Sequence, residues 1–236
     1  ADKQIRRLND LPNVPAEQDL MVRAAHLLAD NIDTAYGVDI FIQKKLPMGG
    51  GLGGGSSDAA TILHGLNVLW QADLSTEQLA DLALQLGADV PIFVHGQTAW
   101  AEGIGEQVSF VDIPEPWYVV IHPPVSINTA TIFAEKELTR DCKVITIADF
   151  LAGVENNVFE PLVRAKYPVV NQAMNWLSKF SKAKLTGSGS CIFASFADQA
   201  SAQAVFQQLL QQYPQWRGFV AQGVNISPLQ KMLGCV

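Results

Sequence analysis

The chain has 236 residues, 48% of them hydrophobic, enough for one large domain or two small ones whose core needs no covalent staples. Sixteen basic and 23 acidic residues give a formal charge of −7, which argues against a nucleic-acid or anionic-membrane surface but leaves room for a nucleotide held by a local nest of amides. The three cysteines, Cys142, Cys191 and Cys235, are far apart and odd in number, so neither a disulfide framework nor a cysteine metal site is expected and a reduced, cytoplasmic setting fits.

Residues 19–29 carry helical spacing, with Leu20, Ala24, Leu27 and Leu28 on one face. Residues 38–42 read as a short strand leading toward a glycine run. An apolar-periodic helix over residues 59–70 follows that run, with Ser56 or Ser57 as its N-cap. Ser75-Thr-Glu-Gln78 fits a capping box opening a helix that Gly87 stops. Residues 97–101 and 107–111 read as strands about a turn at Gly103-Ile-Gly105. Pro114-Glu-Pro116 punctuates the pattern, so the chain divides into residues 1–114 and 115–236. Beyond it, strands are expected at 117–122, 184–186, 191–196 and 218–224, and helices at 129–138, 157–166, 169–180 and 199–213. Strands and helices alternate in both parts, so the class is mixed α and β. No apolar run approaches a membrane span, and Ala1-Asp-Lys-Gln-Ile-Arg-Arg contains no signal-peptide core. His26, His64, His95 and His122 have no metal-ligand spacing, and no metal-ligating residue is assigned.

The most informative segment is Pro47-Met48-Gly49-Gly50-Gly51-Leu52-Gly53-Gly54-Gly55-Ser56-Ser57, then Asp58. Six glycines in seven positions cost chain entropy that a function should offset. They also let a ligand approach the backbone with no Cβ in the way. A glycine loop opening into a helix presents free N–H groups to an anion. The P-loop pattern is disfavoured because no lysine follows the glycines. Gly49, Gly51 and Gly54 match the dinucleotide fingerprint, but so dense a run matches many glycine patterns, and Lys44-Lys-Leu-Pro47 separates strand from glycines where a Rossmann turn is tight. A flexible Gly/Ser linker is the structural alternative.

On these residues the chain resembles the GHMP small-molecule kinases, the family of galactokinase, homoserine kinase, mevalonate kinase and phosphomevalonate kinase. Residues 47–60 are similar to the family's central motif, and Leu185-Thr-Gly-Ser-Gly-Ser-Cys-Ile-Phe-Ala194 to its third. Leu86-Gly-Ala-Asp-Val-Pro-Ile-Phe93 with Ala101-Glu-Gly-Ile-Gly-Glu106 resembles the branch that phosphorylates a cytidine diphosphate-linked methylerythritol in the non-mevalonate route to isoprenoid precursors. The resemblance implies a two-lobe α+β fold, with a left-handed βαβ crossover in the N-terminal lobe and a ferredoxin-like C-terminal lobe, and with ATP and acceptor meeting in the cleft. It implies ATP and Mg²⁺ as cofactors, and phosphorylation of the acceptor's 2-hydroxyl by a monomer or homodimer. The family's first motif, with its catalytic lysine, has no counterpart here, and there is no initiator methionine, so an N-terminally truncated chain is expected.

Residues 47–57 would then supply amides to the ATP phosphates, with the Ser56 and Ser57 hydroxyls reaching phosphate or hydrated Mg²⁺. Asp89, between a helix end and Pro91, reads from residue type alone as an exposed turn aspartate; the resemblance makes it the base for the acceptor hydroxyl. Gly187, Ser188 and Gly189 form a glycine turn that is either an ordinary hairpin or, by the resemblance, a brace for the phosphate loop and a wall of the substrate site. Thr129 and Phe133 match a segment lining the substrate pocket, although Phe at helical spacing is more often core, and Ala130 stands where many relatives have proline. Asp58 is expected to cap or brace the loop. Two alternatives stay open: another GHMP kinase of homoserine or mevalonate type, and a catalytically inactive nucleotide-binding fragment.

Overall fold

The structure, a computed structural model, describes residues 2–103, 105, 107–154 and 156–234. Ile104 of the expected hairpin turn, Glu106 of the second motif and Cys235 lie outside the described residues. The chain forms two compact units, one of Ala1–Lys45, Gly53–Ile113 and Val224–Val236, the other of Leu46–Leu52 and Pro114–Gly223.

In the first unit β1 (Ile5–Arg7) and β2 (Val38–Ile40) pair in parallel, Ile5 opposite Val38 and Arg7 opposite Ile40. A parallel pair needs a crossover, and α1 (Leu20–Asn31) supplies it. Its N-cap is Asp19, whose carboxylate accepts the Met21 N–H at 2.9 Å, and Met21, Val22, Ala24, Ala25 and Leu28 form its buried face. Next come α2 (Gly54–Leu69), α3 (Thr76–Leu84), capped by the expected Ser75–Gln78 box, and α4 (Val90–His95). The start of α2 differs from the sequence expectation. Its N-cap is Gly53, in the left-handed region at φ 66° and ψ 15°. Ser57 already donates its N–H to Gly53 O at 2.9 Å, so both serines lie inside the first turn. A serine cap needs an extended backbone at the cap residue, whereas the left-handed glycine starts the helix before either serine is reached.

Leu28, Leu63, Leu79, Val90 and Val94 are fully buried where α1 to α4 meet. The strands β3 (Ala99–Glu102) and β4 (Gln107–Phe110) then form an antiparallel hairpin.

The second unit is built on β5 (Trp117–His122), α5 (Thr129–Ala134), α6 (Ile147–Leu151), α7 (Glu160–Lys166), α8 (Pro168–Leu177), β6 (Lys184–Leu185), β7 (Ile192–Phe196), α9 (Gln199–Gln212) and β8 (Arg217–Gln222). The four strands lie in the order β6-β7-β5-β8, every pair antiparallel. With α8 between the first and second strands and α9 between the third and fourth, this is the split βαβ, ferredoxin-like arrangement. Period-two alternation sends Val119, Ile121, Ile192 and Ala194 into one core with Met174 and Leu177 of α8 and Leu209 of α9.

The chain then returns to the first unit. Gln97 bridges Ile226, Thr98 donates to Asn225 O at 2.8 Å, and α10 (Pro228–Leu233) sends the Gln230 amide to Val94 O at 2.6 Å beside the buried His64. A division at residue 114 puts residues 224–236 with the second part and 46–52 with the first; packing groups each segment the other way, because these hydrogen bonds tie the closing segment to the α4–β3 corner.

The Arg7–Asp19 pair, 2.8 Å apart with side chains 4% and 7% exposed, is a buried ion pair in which Arg7 also donates to Asn9 O and Val14 O. Asp19→Ala leaves that guanidinium buried and unpaired, and should lower unfolding stability by about 3–5 kcal/mol in urea titration. Arg6→Ala, which removes the exposed pairs to Asp2 and Asp39 and an exposed hydrogen bond to Gln4, should leave the midpoint within error. At the head of β7, burial pushes the Cys191 thiol up to about 12. At pH 8 only about 10⁻⁴ of it is thiolate, the reactive form, and the fraction rises as pH climbs toward 12. Iodoacetamide at pH 8 should therefore modify exposed Cys142 and spare Cys191 until the protein is unfolded, as read by peptide mass mapping; equal labelling of both in the folded protein would contradict the burial.

Candidate active site

The glycine run is shared by the two units, residues 46–52 in one and 53 onward in the other. Gly49, Gly51 and Gly53 adopt φ of 67°, 73° and 66°, alternating with residues outside that region. Backbone that alternates in and out of the left-handed region can turn neighbouring amides to one side, as in an anion nest. Among the described residues, none of the amide N–H groups of residues 48–56 is donated to a protein acceptor; the first that is belongs to Ser57. Those of residues 54–56 lie in the first turn of the 16-residue α2, where the helix dipole favours an anion.

Close packing demands glycine here as much as φ does. A Cβ on Gly51 would stand 2.4 Å from Thr186 O, one on Gly50 2.6 Å from the Cys191 sulfur, and one on Gly53 2.5 Å from the Phe93 ring. Contact without side chains lets the loop carbonyls be held by the turn between β6 and β7. Thr186 Oγ1 donates to Gly51 O at 2.7 Å, and the Cys191 N–H donates to Gly50 O at 3.0 Å. With the carbonyls held on that side, the amides are left for a ligand.

That turn contains Gly187, Ser188 and Gly189, with Gly187 at φ 52° and Gly189 at φ 87°. Gly189 N–H closes it onto Thr186 O at 2.9 Å. Ser188 is buried and shares a 2.8 Å hydrogen bond with the Thr129 hydroxyl, so two residues singled out separately in the sequence are brought together. Phe133 is not core: it is 55% exposed, with its ring edge-to-face with Phe159 at 5.0 Å. The turn is also held by residues the sequence reading passed over. Ser190 donates to Val125 O at 2.6 Å, and the Asn157 amide donates to Leu185 O and Gly187 O. Asn157 carried a usable signal, an asparagine three residues ahead of a helix start, where its side chain can turn back on the backbone.

In the first unit Asp89 occupies the N-cap position of α4 but makes no side-chain cap, and its exposed carboxylate has no partner among the described residues. It is bound neither to its own helix nor to a cation, and α4, which carries it, packs Phe93 beneath Gly53. The Ser56 and Ser57 hydroxyls likewise make no hydrogen bond among the described residues, so they are not spent on capping. Asp58 is ion-paired with Lys44. The pair removes the objection to a carboxylate beside a phosphate loop, and braces the two ends of the loop against each other. Lys44 had no sequence signal, since its partner lies on the far side of the glycines.

The family described as GHMP kinases N terminal domain matches residues 19–97, and GHMP kinases C terminal matches residues 143–215. A 4-diphosphocytidyl-2-C-methyl-D-erythritol kinase from Nitrosococcus oceani is 52% identical over 100% of this chain and 84% of its own length. The kinase of the same name from Mannheimia succiniciproducens is 50% identical over 98% of this chain and 76% of its own. Among solved structures, a crystal structure of 4-(cytidine 5'-diphospho)-2C-methyl-D-erythritol kinase superposes with a TM-score of 0.77 at 26% identity, covering 94% of this chain and 82% of that one. The chain belongs to the GHMP kinase family, in its 4-diphosphocytidyl-2-C-methyl-D-erythritol kinase branch.

Proposed function

We propose that the chain transfers the γ-phosphoryl group of ATP to the 2-hydroxyl of 4-diphosphocytidyl-2-C-methyl-D-erythritol, in the non-mevalonate route to isoprenoid precursors. The observation that carries the reading is half-identity, across essentially the whole chain, to kinases named for that acceptor. The undonated amides of the glycine run support ATP as the donor. Phosphoryl transfer needs positioning and charge stabilisation more than covalent help from the protein. Residues 47–57 hold the phosphate oxygens through backbone N–H groups, and α2 directs its positive end toward them. Pairing with Lys44 keeps Asp58 from opposing the phosphates.

Mg²⁺ would be bound together with the nucleotide. Among the described residues no cluster of three acidic, histidine or cysteine side chains stands ready to cage a metal. The two unspent hydroxyls of Ser56 and Ser57 fit an ion that takes few protein ligands and keeps phosphate oxygens and waters for the rest. When bound, Mg²⁺ neutralises charge on the transferring and leaving phosphates. Asp89, free of cap and cation, accepts the proton of the acceptor hydroxyl or orients that hydroxyl. Thr129, Gly187, Ser188 and Gly189 bind the acceptor, and the exposed face of Phe133 offers a surface for its cytosine. The protein so read is a cytoplasmic enzyme, monomeric or homodimeric, acting on a small molecule. The free cysteines and the net negative charge support that reading, and no described helix is long and apolar enough to cross a membrane.

Two measurements test this. With ATP and a panel of acceptors, the cytidine diphosphate-linked methylerythritol should be turned over and mevalonate and homoserine should not; the reverse pattern rejects the acceptor assignment. Asp89→Asn should lower turnover roughly 10²–10⁴-fold while ATP affinity, measured by calorimetry, stays within about twofold. Near-normal turnover in that variant removes Asp89 as base.

A further inference from the structure

We infer that Asn157 is a positioning residue for nucleotide binding, acting through the β6–β7 turn on the carbonyls of Gly50 and Gly51; the inference rests on the reading of the glycine run as the ATP phosphate loop. Every link lies within one compact unit. The Asn157 side-chain amide donates to Leu185 O at 3.0 Å and to Gly187 O at 2.9 Å, while its Oδ1 accepts the Phe159 N–H at 3.0 Å. Those two carbonyls flank Thr186, the residue whose hydroxyl is bonded to Gly51 O at 2.7 Å. Asn157 thus clamps the turn on both sides of the one side chain that holds Gly51.

The clamp is needed because the ladder ends early. The strand β6 is only two residues long, with Lys184 opposite Phe193 and Leu185 opposite Ile192. Beyond it the turn passes through two left-handed glycines, which have the widest conformational freedom of any residue. A small rotation of this turn would move Thr186 O, which already lies where a Cβ on Gly51 would be 2.4 Å away, and would carry Gly51 with it. The amides flanking Gly51 would then leave the arrangement that suits phosphate oxygens.

Asn157 also has a structural role, accepting the Phe159 N–H ahead of α7, and two substitutions separate it from the positioning role. Asn157→Asp keeps the acceptor and the shape but replaces both donors with oxygen facing oxygen. Asn157→Ala removes everything. If Asn157 acts on the loop, both variants should weaken binding of a non-hydrolysable ATP analogue about tenfold, the scale of a lost hydrogen bond. If its role is only to support α7, Asn157→Asp should bind like the parent, and the proposal fails. A ligand-free readout is independent of the nucleotide assignment. In glycine-selective ¹⁵N spectra, Asn157→Asp should shift the amide resonances of Gly50 and Gly51 and leave that of Gly65, in the middle of α2, unmoved; unshifted Gly50 and Gly51 overturn the proposal even if the parent binds no ATP. Should either Asn157 variant fail to fold, Thr186→Val removes the last link alone and must reproduce the loss of analogue affinity, and parental affinity in Thr186→Val refutes the chain of contacts.

Discussion

Two hydrogen bonds organise the candidate site: Thr186 Oγ1 to Gly51 O and Cys191 N–H to Gly50 O. They join the first glycine run to the second across 135 residues of sequence in one case, and only glycine permits the approach. A peptide plane fixed through its carbonyl has its N–H fixed as well, on the opposite edge. Tying Gly50 and Gly51 by their oxygens is therefore what directs the loop's donors. The buried Cys191 thiol, kept neutral by its surroundings, fills the space beneath Gly50 without adding a charge near the donors.

The same economy of charge accounts for how a chain of net −7 can be built to hold polyphosphate. In the reading proposed above, binding rests on backbone dipoles, whose fields are local, instead of on a basic surface. The nearest carboxylate in sequence, Asp58, is balanced by Lys44. Asp89 has no ion-pair partner among the described residues and sits on a short helix whose first turn contains Pro91 and whose end is a left-handed glycine. An aspartate at that position usually bonds a free N–H of its own helix. Asp89 does not, which leaves its carboxylate available for the role proposed above.

Much of this was legible in the residues. Helices with a sharp cap, such as α1 at Asp19 and α3 at Ser75, follow the expected starts. The ferredoxin-like strands appear near their expected bounds because each is a β-rich run between turn residues. What was lost is what periodicity cannot carry. The strand β1 is three residues with only one apolar side chain, Ile5, and exists because β2 lies beside it. The helix α4 is too short for a repeat, and α10 depends on Gln230 finding Val94. The start of α2 was misplaced because a left-handed glycine, invisible in composition, overrides two good capping residues. At the site, the glycines and Asp89 stood out by residue type and motif. Asn157 and Lys44 did not, since each works through a partner far away along the chain.

Rigidity in this site therefore comes from residues other than the glycines. Gly187 and Gly189 sit where the sheet ladder has already stopped, after two paired residues of β6. A free turn of that composition would sample many conformations, each carrying Thr186 elsewhere. Instead its flanks are bound to three separate stretches: Asn157 ahead of α7, Thr129 at the start of α5 through Ser188, and the backbone of Val125 through Ser190. Each is a short polar group reaching a main-chain or hydroxyl atom, so each holds one orientation of the turn. The glycine runs permit the close approach, and these polar side chains select one arrangement from those the glycines allow.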